Sequence, residues 1–185
     1  MGPPTVVLDA NVLFPAPVRD LYVRLAIAGV VRARWTEQIL DETFRNILRV
    51  RPELDPSSLA RTRLLMNRAV RDVMVVGFEH RIDTLDLPDA DDRHVLAAAI
   101  ECEADYIVTW NLRDFPSKAL EGHGLTALSP DALLAMLATT NRHAVSAALT
   151  RQAGALKNPP MTVDSLRTVL TNNGLTESMA LLAGS

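Results

Sequence analysis

Short continuous apolar runs alternate along this chain with longer stretches in which apolar residues recur every three or four positions. The β-branched run at residues 5–8 predicts a buried strand, and further strands are expected at 33–35, 73–76, 105–109 and 125–128. Stretches of the second kind predict helices. Pro15 and Pro17 open one that carries Leu21, Leu25 and Ala28 and stops at Gly29. Thr36 caps another, with Ile39, Leu40, Thr43, Ile47 and Leu48 on one face. Pro52 and Pro56 break the chain before Ser57 or Ser58 caps a helix whose Leu64, Leu65, Ala69 and Val70 are expected to face inward. Leu87-Pro88-Asp89 starts a helix through Val95, Leu96, Ala99 and Ile100, and Ser129-Pro130-Asp131 starts one that reaches Thr139. Strands alternating with helices predict an α/β domain, its mostly parallel sheet covered on both faces. Beyond Thr139 the strand signals cease, and helices are expected over 141–157, 163–172 and 176–182. Residues 1–140 are therefore expected to form the α/β domain and 141–185 a helical C-terminal extension.

Composition narrows the class of protein. With 185 residues, 48% hydrophobic and 22% charged, the chain is ordinary globular material for one domain and a little more. Its one cysteine, Cys102, excludes an internal disulfide framework and a cysteine-based zinc cluster. No apolar run reaches the roughly 18 residues of a membrane span. The opening MGPPTVVLD lacks the basic and apolar regions of a signal peptide, so a cytoplasmic protein is expected. The net charge of −3 hides a split: nine arginines face five acids between Arg32 and Arg71, whereas thirteen acids face four bases between Asp72 and Asp131. Such halves suit a polyanion brought to carboxylate-held metal, and equally suit two solvated helix faces.

Candidate chemistry lies where strands end, because parallel sheets bind ligands at their carboxyl edge. Asp9 follows Val6-Val7-Leu8 directly, and Asp is a poor strand residue. Asn111 and Asp114 stand just beyond the strand at 105–109, where an Asx-turn before Phe115-Pro116 would also explain them. Asp89, Asp91 and Asp92 open a helix, a position that dipole and capping favour without any function. Glu37, Asp41 and Glu42 flank an apolar helix face, and periodicity does not choose among them. Were four of these segments to meet, oxygen-only ligation would favour Mg²⁺ or Mn²⁺. His80, His94, His123 and His143 have no metal-ligand spacing and are read as structural or surface groups. GxGxxG, P-loop and GxSxG motifs are absent, and Asn11 stands where a phosphoaspartate phosphatase would carry a second Asp.

Three strings carry a resemblance. VVLDANVL at 6–13, TEQILDETFRNIL at 36–48 and DADDRHVLAAAIECEADYIVTWNLRDFP at 89–116 resemble, in order and spacing, the four conserved blocks of PIN-domain nucleases. Within that family the likeness is to VapC-type toxins of toxin–antitoxin pairs. The resemblance implies a three-layer α/β/α fold and a metal-dependent endoribonuclease that acts on tRNA or another structured RNA. It implies metal ligands at Asp9, Glu42 and Asp92, with Asp114 joining the catalytic set where many members have an Asp at the position of Asn111. Asn11, Thr109 and Asn111 would orient ligands or water, while Arg45, Arg49 and Arg113 would hold RNA phosphates. A Mg²⁺ or Mn²⁺ cofactor, a cognate antitoxin and a homodimer are implied as partners, and a membrane is not. Two other readings share the motifs: a non-catalytic PIN scaffold binding RNA or protein, and a PIN nuclease of RNA processing or DNA repair.

Overall fold

A run of four wholly buried residues, three of them apolar, has nowhere to satisfy its backbone except between neighbouring strands. In the computed structural model, which describes residues 2–184, strand β1 (Thr5–Leu8) occupies that inner position. The short helix α1 (Ala10–Leu13) follows at once, then α2 (Ala16–Ile27), with Pro17 in its first turn. Strand β2 (Arg32–Arg34) leads into α3 (Glu37–Val50), whose Thr36 cap accepts from Ile39 N at 3.0 Å. Next come α4 (Pro56–Ala69), α5 (Glu79–Ile82), a 3₁₀ turn at Ala90–Asp92 and α6 (Arg93–Glu101). Strand β3 (Tyr106–Val108) is followed by α7 (Ser117–Leu120), β4 (Thr126–Leu128) and α8 (Pro130–Thr140). Helices α9 (Arg142–Ala155), α10 (Val163–Asn172) and α11 (Thr176–Ala183) complete the chain.

The sheet runs β2-β1-β3-β4, every pair parallel, and helices cover it in a three-layer α/β/α arrangement. No helix among the described residues is long and apolar enough to cross a membrane. The last three helices pack on the α/β layers: α9 lies against α2 and α8, and α11 against α8. Leu149, Leu166, Leu170, Leu175 and Met179 share one buried cluster with the strand residues.

Local expectations fail at three places, each for a reason outside the local sequence. The strand expected at 73–76 is reduced to a single parallel bridge between Trp35 and Met74, because β2 ends where Thr36 begins to cap α3. Helix α4 is capped by Asp55, whose carboxylate accepts from Ser57 N and Ser58 N, rather than by either serine. Its inner face carries Met66, and Val70 is buried just past its end, while Leu64 and Leu65 are about half exposed and Ala69 is exposed as well. The buried Trp35 indole N–H needs an acceptor and finds Asn67 Oδ1 at 2.9 Å, while Arg63 pairs with Glu37 and Asp41. Those contacts turn residues 63 and 67 toward the protein and Leu64 and Leu65 away from it. On α3, Phe44 is buried beside Ile47, and Leu48 is only half-buried.

Candidate active site

Asp9 ends β1 at the carboxyl edge of the sheet and is only 5% exposed. A buried carboxylate needs donors, and three surround it. Oδ1 accepts from Ala10 N at 2.6 Å, which makes Asp9 the cap of α1; Oδ2 accepts from Asn11 Nδ2 at 2.6 Å and from Thr109 Oγ1 at 2.7 Å. Thr109 leaves β3 alongside, and its hydroxyl also accepts from Asn11 Nδ2 at 2.9 Å and from Asn111 N at 3.0 Å. Asn11 Oδ1 accepts from Trp110 N at 3.1 Å. Both amide hydrogens of Asn11, and the hydroxyl of Thr109 as donor and acceptor, are thus committed to fixing one carboxylate. The two neighbouring strand ends are locked together through side chains.

Around this lock stand four further carboxylates. Burial pushes the Asp92 carboxyl up to about 7, and Asp9, Asp89, Asp114 and Glu42 add repulsion in that order. Asp9 is also raised, by burial first, against the Thr109 and Ala10 hydrogen bonds; Glu42 raises it further and His94 lowers it. His94 is 4% exposed, with Nε2 at 3.8 Å from Glu42 Oε2 and a buried Nδ1 that has no hydrogen-bond partner among the described residues. Among the described residues, no three His, Cys, Asp or Glu side chains are so arranged that they could hold one metal ion together as they stand.

The residues singled out in the sequence fall as follows. Asp9, Asn11 and Thr109 form one hydrogen-bonded unit, and Glu42 and Asp114 act on Asp92 through charge. Asn111 joins the unit only through its backbone N–H, and its side chain is exposed. Arg113 is exposed in the turn Leu112–Asp114. Arg45 and Arg49 are exposed on α3, three and seven residues beyond Glu42, which puts all three along one helix face. Sequence reading missed Asp89 and His94 as neighbours of the cluster. For His94 no local signal existed, because it follows the charged run Asp89–Arg93 at the helix start.

Two family models match the chain. One, described as PIN domain, matches residues 5–113, and the other, described as VapC50 C-terminal domain, matches 130–184. A curated relative, "Putative ribonuclease VapC50" of Mycobacterium tuberculosis (strain ATCC 25618 / H37Rv), is 41% identical over 75 residues, which cover 40% of this chain and 44% of the relative. The chain thus matches under half the length of that relative. No solved structure matches significantly. The first match spans β1 to the turn after β3 and contains Asp9, Glu42, Asp92 and Thr109, and the second covers α8 to α11. The chain belongs to the PIN-domain family, in its VapC-type form.

Proposed function

We propose that this chain is an endoribonuclease toxin of the VapC type, dependent on Mg²⁺ or Mn²⁺ and silenced in the cytoplasm by a cognate antitoxin. What supports the reading is that Asp9, Glu42 and Asp114, each from a separate segment, lie near enough to Asp92 for their charges to add to the burial that lifts its carboxyl to about 7. Such a cluster is costly when empty and is relieved by a cation. The donors are all carboxylate oxygens, which fit a hard divalent ion, and Mg²⁺ retains several waters when only one or two carboxylates hold it. Asp9, Glu42 and Asp92 would be its ligands. Bound there, the ion would supply a water of lowered pKa and neutralise charge at the scissile phosphate.

The chain's own groups do the rest. Asn11 and Thr109 fix the orientation of the Asp9 carboxylate, as groups behind a metal ligand would. Asp114 adds negative charge at the rim, with Asn111 beside it. Arg45 and Arg49 run outward from Glu42 along α3, and with Arg113 they would grip phosphates of a tRNA or another structured RNA. Within this reading residues 1–140 are the nuclease domain and 141–185 its extension, and a homodimer is the working assembly.

The test is Asp9→Asn, a near-isosteric change. It should retain the fold, abolish RNA cleavage and relieve growth inhibition, with 5′ ends of cut RNAs mapped after brief expression. A variant that folds and cuts like the wild type would sink the proposal. One observation favours a non-catalytic scaffold instead: among the described residues, no three His, Cys, Asp or Glu side chains stand ready around an ion. Titration with Mn²⁺ separates the two readings, since a scaffold would show no binding up to millimolar metal.

A further inference from the structure

The loop that leaves β3 does not end its contacts at Asn11. Trp110, whose N–H holds Asn11 Oδ1, turns its ring toward the C-terminal helices and lies against Gly174. A methyl group added at Gly174 would stand 2.8 Å from Trp110 Cη2, and 3.2 and 3.3 Å from Cζ3 and Cζ2. Contacts that short require something to move. Gly174 also has φ +95°, and closes α10 in a Schellman turn. Its N–H donates to Thr171 O at 2.9 Å, and Leu175 N donates to Leu170 O at 3.1 Å. Both leucines are wholly buried, so the turn has no freedom to yield. On its far side it is pinned by Asp131, which accepts from Glu177 N at 2.8 Å and Ser178 N at 2.9 Å.

We infer that the turn between α10 and α11 is a positioning element of the active site: Gly174 braces Trp110, Trp110 braces Asn11, and Asn11 holds the Asp9 carboxylate. The inference rests on the catalytic reading of Asp9 and extends it to the C-terminal helices. It makes Trp110 and Gly174 positioning residues, neither of which touches the reacting atoms. Displacement of a reacting group by about 1 Å is enough to lower a rate up to a hundredfold.

The test is a size-exchange cycle read in two ways. Gly174→Ala pushes the ring away, and Trp110→Phe removes the three ring carbons that the new methyl would meet. Each single variant should lower kcat for RNA cleavage on the order of tenfold while KM stays within about twofold. Each should also speed hydrogen exchange at the Trp110 amide of the metal-free protein on the order of tenfold. The double variant Gly174→Ala/Trp110→Phe should recover much of both losses, because the methyl occupies the space that the ring vacates. Gly124→Ala, at a positive φ of +69° with open space around the new methyl, controls for backbone strain and should alter neither readout. Single variants with wild-type kcat and Trp110 exchange, or a double variant no better than the singles, would overturn this inference alone. A wild-type protein that cuts no RNA would overturn the parent reading and this one with it.

Discussion

Asp9 and Asp92 are two carboxylates held in different ways. Asp9 is fixed by three donors, whereas burial first, and then four other acids, push Asp92 up to about 7. Its proton is bound more tightly in the folded state than in the unfolded chain. Its contribution therefore favours the fold fully below the ordinary carboxylate range and is lost as the pH climbs toward 7. Metal-free protein should melt at a higher temperature at pH 5 than at pH 8. Asp92→Asn should flatten that difference, and Mn²⁺ should raise the wild-type melting temperature at pH 8 through binding the folded state. Parallel melting curves for wild type and variant across this range would refute the assignment. Asp9 was legible in the sequence because an acid after three apolar β formers has few other uses. The choice of Glu42 over Glu37 and Asp41 needed the family resemblance, since all three flank the same helix face. His94 was not legible: its nearness to Glu42 is made by elements far apart in the chain, and no local spacing records it.

At the scale of elements, alternation of short runs and helical periodicity was enough to place the four parallel strands and the long helices. It could not set the rotation of α4. Apolar residues occur on several sides of that helix, and the deciding partners, Trp35, Glu37 and Asp41, belong to other elements. The consequence is measurable. Leu64→Glu and Leu65→Glu should each change stability by no more than about 0.5 kcal/mol, as for ordinary surface positions. Met66→Ala, at a site 6% exposed, should cost about 2–3 kcal/mol in denaturant unfolding. The reverse ranking would mean that α4 sits as its hydrophobic pattern alone suggests. The same dependence on distant partners explains residues 73–76, whose β-branched composition is sufficient for a strand but whose neighbour offers a single residue to pair with.

For the molecule as a whole, the question is whether the C-terminal helices are an ornament or part of the fold. Asp131, at the start of α8, accepts four hydrogen bonds from the first turn of α11: two from backbone N–H groups and two from the hydroxyls of Thr176 and Ser178. Tyr22 Oη donates to Pro130 O at 2.5 Å, and Gln152 Nε2 donates to Pro17 O at 2.9 Å, so α2, α8, α9 and α11 are tied across the sequence. The hydrogen bonds hold the Asp131 carboxyl below its ordinary value against the cost of burial. Its stabilising contribution is therefore present above the usual carboxylate range and lost as the pH falls through the depressed value. Asp131→Ala should cost about 2–3 kcal/mol at pH 7, the scale of a lost helix cap plus charged hydrogen bonds, and the gap to wild type should narrow as acidification protonates Asp131 in the folded protein. Over pH 5 to 8 Asp131 is ionised in both states, so it leaves the Asp92 effect undisturbed. Removing residues 141–185 is a far larger change. It strips α9, α10 and α11 from the faces of α2 and α8 that they pack against, where each large apolar side chain is worth about 1.5–3 kcal/mol of burial when fully covered. A domain's entire stability is about 5–15 kcal/mol. The 1–140 fragment should accordingly show no cooperative melt, whereas a fragment with a sharp transition near the full chain's would demonstrate that the α/β layers fold alone and that the helices merely rest on them.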